Sequence, residues 1–109
     1  MKVHELASAM NLQTIAMPDG EREIRGGYIG DLLSWVMGRA QSGNVWITIM
    51  SNINIVAVAT LADVACVILA EGVNVEESVK SVAEAKGVNL FTSRLTAFEL
   101  AGKLAELAT

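Results

Sequence analysis

Scarcity marks this sequence: it carries one cysteine, one proline, one histidine and 5% aromatic residues. The lone cysteine, Cys66, excludes an intrachain disulfide, and the chain lacks the companion ligands that a zinc site needs. In the run Val64-Ala65-Cys66-Val67-Ile68-Leu69 it reads as a small buried hydrophobe, with a reactive thiol as the alternative. Such cysteine usage fits a cytoplasmic protein. A single histidine, His4, excludes a multi-histidine metal site within one chain and a Ser-His-Asp triad away from the first few residues. His4 reads as an exposed or partly packed side chain.

Charge is scarce too, at 18% of residues, with eight basic and twelve acidic side chains and a net charge of −4. The basic residues do not cluster, which excludes an electrostatic nucleic-acid binder. No signal peptide is visible, because Glu5 stands where an apolar segment should run. Ile53 to Ala70 is the one stretch nearly long enough to span a membrane. Asp63 near its middle would cost about 2.5–3.5 kcal/mol there, and Asn54 and Thr60 add to that. A buried helix followed by a buried strand explains the run better, so no membrane contact is expected.

What the chain has in quantity is aliphatic surface. Apolar residues make up 52% of its 109 positions, mostly Ala, Val, Ile and Leu. A chain of this length reads as one domain, residues 1–109, and buries roughly 60–70% of the surface it exposes when unfolded. The apolar surplus points to burial against another chain.

Val3 to Met10 has the spacing of a short helix, Gln13 to Met17 of a strand stopped by Pro18-Asp19-Gly20, and Arg22 to Arg25 of a short extended piece. Gly26-Gly27-Tyr28-Ile29-Gly30-Asp31 reads as a loop feeding a helix from Asp31 to about Ala40, with Leu32, Leu33, Val36, Met37 and Ala40 on its buried face. From Asn44 the pattern becomes alternating strands and helices. Val45–Met50 and Val64–Ala70 read as buried strands, and a helix capped by Asn52 or Asn54 runs between them to about Leu61. Asn74 and Glu77 have the spacing of a capping box, opening a helix that Gly87 ends. Val88–Thr92 is a last strand, and Thr96 with Glu99 caps a closing helix to about Ala108. This alternation predicts an α/β fold built from parallel βαβ units.

The catalytic inventory is thin. Gly26, Gly27 and Gly30 ahead of a helix have the makings of a phosphate-binding loop. No Gly-Lys-Ser/Thr follows, the Gly-x-Gly-x-x-Gly fingerprint is absent, and Asp31 places negative charge where the anion would sit. The competing reading gives these glycines to a tight turn and close helix packing. Asn52 and Asn54 follow a buried strand, at the edge where open α/β sheets bind ligands, but Asn also caps helices there. Thr92, Ser93 and Arg94 occupy the same edge after the last strand, and Arg94 is the best-placed cation for an anionic ligand. Of Trp35 and Trp46, Trp46 faces inward with its strand, whereas Trp35 is rotated from the buried stripe and reads as partly exposed.

Three stretches carry a family resemblance: Gly27-Tyr28-Ile29-Gly30-Asp31-Leu32-Leu33-Ser34-Trp35-Val36-Met37, Val45-Trp46-Ile47-Thr48-Ile49 and Asn54-Ile55-Val56-Ala57-Val58-Ala59. They resemble small stand-alone DRTGG-domain proteins. Asp63 to Leu104, with Ala65–Leu69 and Gly87–Ser93, resembles the end of the N-terminal domain of HPr kinase/phosphorylase. The fold so implied is the HPr-kinase N-terminal-like α/β domain, a small, mostly parallel sheet flanked by helices. The resemblance implies a regulatory, dimer-forming module, of the kind found beside CBS domains in regulated pyrophosphatases. The Asp-Arg-Thr-Gly-Gly pentapeptide itself is absent, with Arg25-Gly26-Gly27 a partial echo, and Met50 and Asn52 stand where relatives carry Gln-x-His. The kinase's P-loop belongs to a separate domain that nothing here matches, so no catalytic residue carries over and no cofactor is implied.

Two functions stay in contention, and a serine-kinase-related enzyme ranks behind both. The first is a non-enzymatic regulatory homodimer, with the Gly26–Asp31 and Ser51–Asn54 loops at or near the interface and an unidentified protein partner. The second is a sensor of an adenine nucleotide or similar anion, using Asn52, Asn54, Thr92, Ser93 and Arg94.

Overall fold

The computed structural model describes residues 1–107. Ten elements alternate along the chain: α1 (Val3–Ala9), β1 (Gln13–Ala16), β2 (Gly27–Ile29), α2 (Leu33–Arg39), β3 (Val45–Thr48), α3 (Asn54–Ala62), β4 (Cys66–Leu69), α4 (Glu77–Lys86), β5 (Leu90–Thr92) and α5 (Ala97–Leu107). The strands form one sheet in the order β1-β5-β4-β3-β2. β2, β3, β4 and β5 run parallel, and β1 joins β5 antiparallel with a bulge between Thr14 and Ala16. The expected mostly parallel α/β sheet is therefore what the chain builds.

Side chains alternate across each strand, and the alternation sorts the core into two layers. Trp46, Val67, Leu69 and Leu90 point to one face, where Val36 of α2, Ile55 and Ala59 of α3, and Val79 and Ala83 of α4 cover them. Val45, Ile47, Cys66, Ile68 and Phe91 point to the other, under Val3 and Leu6 of α1 and Leu100 and Leu104 of α5. Strands covered on both faces must be apolar throughout, and every residue of β3, β4 and β5 is buried. Thr48 and Thr92 meet that requirement through hydrogen bonds, and no buried side-chain nitrogen or oxygen among the described residues lacks a partner.

Four local expectations need correction. Gly27–Ile29 is not part of a loop but a short edge strand, paired Gly27 with Val45, Tyr28 with Trp46 and Ile29 with Ile47. A Cβ on Gly27 would lie 2.8 Å from Leu104 Cδ2 of α5, so any larger residue there obliges that side chain to shift. α2 begins at Leu33 rather than Asp31, and it buries Val36 while Leu32 and Met37 stand in solvent. α4 begins at Glu77 after an extended Glu76, so Asn74 does not cap it. Arg22–Arg25 forms no strand, contributing a single bridge between Glu23 and Lys2. The Thr96–Glu99 capping box closes as expected: the Thr96 N–H donates to Glu99 Oε1 at 3.1 Å and the Glu99 N–H to Thr96 Oγ1 at 3.2 Å. The expected helix end at Ala108 lies outside the described residues.

Candidate functional site

Because β2 to β5 are parallel, their carboxyl ends share one edge of the sheet. The nine residues singled out in the sequence do not meet there. Gly26 and Gly27 lie at the opposite, amino end of β2, where Gly26 takes a φ of +64° and its carbonyl accepts the Val45 N–H at 3.0 Å. Extended backbone between them and Gly30 removes the phosphate cradle that the glycine spacing implied. The turn and close-packing reading of these residues matches their geometry.

Asp31 and Gly30 do reach the carboxyl edge, and both are occupied. The Asp31 carboxylate accepts the Thr48 hydroxyl at 2.8 Å and the Ile49 N–H at 3.0 Å, tying the end of β2 to the end of β3. The Gly30 carbonyl accepts the indole N–H of the fully buried Trp46 at 2.9 Å. Asn52 turns its side-chain oxygen onto the Asn54 N–H at 2.9 Å, satisfying a free donor in the first turn of α3. β4 separates this group from Thr92, Ser93 and Arg94 at the end of β5.

A crevice opens where the chain changes sides. The loop after β4 leads to α4 on one face, whereas the loop after β5 leads to α5 on the other. Diverging loops of this kind leave a gap outside the strand ends, the position where open α/β sheets hold ligands. Here the gap is a cavity of about 640 Å³. Gly72 and Asn74 line one wall, and Thr92, Ser93, Arg94 and Leu95 the other. Met10, Asn11 and Gln13 close the near end, and Lys103 reaches in from α5.

The walls are stitched together by backbone. The Gly72 N–H donates to the Ser93 carbonyl and the Glu71 N–H to the Leu95 carbonyl, each at 2.8 Å. Glu71 and Gly72 make this turn with φ of +63° and +69°, a left-handed pair that suits glycine and strains glutamate. Thr92 is a wall-builder, its hydroxyl donating to the Val73 carbonyl at 3.0 Å. Ser93 accepts the Leu95 N–H at 3.2 Å, which leaves its own proton to donate elsewhere. Sequence reasoning missed Asn11, Gln13, Asn74 and Lys103. The antiparallel return of β1 beside β5 brings the first two into the site, and no local motif signals that.

Chemistry elsewhere is sparse. Cys66 is fully buried and desolvation pushes its thiol pKa up to about 12, so the inert reading of this residue holds. His4 is exposed, 3.7 Å from Glu21. Among the described residues no three His, Cys, Asp or Glu side chains gather where they could hold a metal ion, and no helix is long and apolar enough to cross a membrane.

The sequence pattern of the DRTGG domain matches residues 5–107. The chain belongs to the DRTGG domain family. Among solved structures it is similar to the CBS and DRTGG domains of the regulatory region of Clostridium perfringens pyrophosphatase, complexed with the activator diadenosine tetraphosphate. The two superpose with a TM-score of 0.76 at 9% identity, over 94% of this chain and 45% of that one. At that identity the likeness is one of fold, and the DRTGG domain described here spans under half of the Clostridium chain. No curated protein sequence matches it.

Proposed function

We propose that this DRTGG domain is a non-catalytic regulatory module of the cytoplasm that works as a homodimer and acts on a protein partner. One observation carries the reading: the β2 edge of the sheet is bare and apolar. Ile29 on β2 stands in solvent, as do Leu32, Trp35 and Met37 on the turn and helix that follow it, and Ile49 just after β3. A patch of large apolar side chains at a sheet edge is costly in a monomer and useful at an interface. β2 turns the backbone groups of Gly26 and Gly30 toward β3. Strand alternation then sends the N–H and C=O of Gly27 and Ile29 outward. A second copy related by a two-fold axis presents the same edge antiparallel, which pairs those groups and covers the apolar side chains together. A stable interface of this kind buries about 2,000 Å² or more in total.

Hydrogen exchange tests this reading. The amides of Gly27 and Ile29 should become protected as protein concentration rises from nanomolar to tens of micromolar. Exchange at solvent-exposed rates across that range would defeat the proposal. A second reading, a sensor of an adenine nucleotide, is favoured by the cation-lined crevice at the β4–β5 edge, and the activator bound by the Clostridium region is of that chemical class.

A further inference from the structure

The crevice between the β4–α4 and β5–α5 loops has a charge that the rest of the molecule lacks. Arg94 and Lys103 line it, and no acidic residue does. This occurs in a chain with eight basic and twelve acidic side chains. Of the six other cations three are engaged: Lys2 pairs with Glu21, Arg22 with Asp63, and Arg39 lies over the Trp35 ring. Arg94 and Lys103 have no ion pair or hydrogen bond among the described residues. Glu99 and Glu106 lie one turn to either side of Lys103 on α5, and Glu99 spends a carboxylate oxygen on the Thr96 N–H and hydroxyl.

Size narrows the ligand. A cavity of about 640 Å³ falls within the ~300–1,000 Å³ range of small-molecule sites and far exceeds what one phosphate fills. The remaining volume is faced by three amide side chains, Asn11, Gln13 and Asn74, which make no hydrogen bond among the described residues. Amides offer donor and acceptor side by side, the pattern that a nucleobase edge matches. The backbone ties across the crevice hold both walls in place before any ligand arrives, which lowers the ordering cost of binding.

Resting on the sensor reading, we propose that this crevice binds a nucleoside phosphate, with Arg94 and Lys103 meeting the phosphates and Asn11, Gln13 and Asn74 meeting the base and sugar. Asn52 and Asn54, beyond β4, take no part. Isothermal titration of the full chain with ATP, adenosine and inorganic pyrophosphate tests it, alongside Arg94→Gln/Lys103→Gln and, as a control, Lys86→Gln on α4. The substituted side chains are exposed, so circular dichroism should show the fold intact. ATP should bind the wild type and the control alike, weaken about tenfold or more in the double variant, and bind at least tenfold more tightly than adenosine or pyrophosphate. ATP binding that survives the double substitution would keep the sensor and remove this site. Pyrophosphate binding as tightly as ATP would reduce the site to a plain anion hole. Silence from the wild type toward ATP would overturn both the site and the sensor reading.

Discussion

The two edges of the sheet solve the same problem in opposite ways. An edge strand leaves backbone donors and acceptors unpaired, an invitation to another chain. At the β1 edge the strand runs antiparallel, is bulged between Thr14 and Ala16, and stands beside a polar crevice carrying Arg94 and Lys103. At the β2 edge the strand is three residues long, parallel, and flanked by Ile29, Leu32 and Trp35 in solvent. A bulged, polar edge is suited to water and small solutes, while a straight apolar edge is suited to another protein surface. The two tryptophans compress the contrast: Trp46, on the strand next to that edge, is 0% exposed, whereas Trp35, on the helix after β2, is 52% exposed with Arg39 stacked on it.

Substitutions can sharpen the contrast. Trp46→Ala empties the largest buried side chain and orphans the Gly30 carbonyl, so it should cost about 3–5 kcal/mol. In a thermal melt that is a loss of well over ten degrees for a domain this size, and a loss under about five degrees would mean the centre is not packed as described. Asn89→Ala comes next. Buried Asn89 accepts the Asp19 N–H and donates to the Asp19 and Ala65 carbonyls, stapling the turn after β1 to the start of β4. Its loss should cost about 2–3 kcal/mol by chemical denaturation.

Asp31→Ala should cost about 1–2 kcal/mol, because it frees the Thr48 hydroxyl and Ile49 N–H at the carboxyl edge. If instead Asp31 served catalysis or ligand binding, stability would barely move. The smallest effect is electrostatic. The Arg22 guanidinium, and after it the Ser42 hydroxyl, hold the Asp63 carboxyl below the usual carboxylate range. A carboxyl depressed in the folded state stabilises above its unfolded pKa of about 4, and that contribution is lost as pH falls through the folded value. The pair is largely exposed, so water screening keeps it under about 1 kcal/mol. Arg22→Gln should therefore lower stability slightly more at pH 7 than near pH 2, where its hydrogen bond to the Asp63 carbonyl is still left to lose.

Much of this was legible in the sequence, and the exceptions have physical causes. Val45–Thr48 and Cys66–Leu69 announce themselves because strands buried on both faces must be apolar without interruption. Thr96 and Glu99 are equally legible, since a capping box is a purely local arrangement. Asp31 misleads because an acid before a helix normally caps it, and only the fold reveals that Thr48 and the Ile49 N–H have claimed it. Gly27–Ile29 is hidden because a short parallel edge strand has no apolar alternation, and its glycine answers to Leu104 in a distant helix. The crevice is the least legible feature. Thr92, Ser93 and Arg94 were within reach as residues at a strand end, but their partners Asn11 and Lys103 arrive through sheet topology and a helix on the opposite face.

The reading of the β2 edge as a dimer interface is tested most directly by light scattering on a size-exclusion column, at tens of micromolar, for the wild type and Trp35→Asp. The account predicts a wild-type dimer and a folded, monomeric Trp35→Asp with unchanged far-ultraviolet circular dichroism. A monomeric wild type, or a variant that stays dimeric, would contradict it.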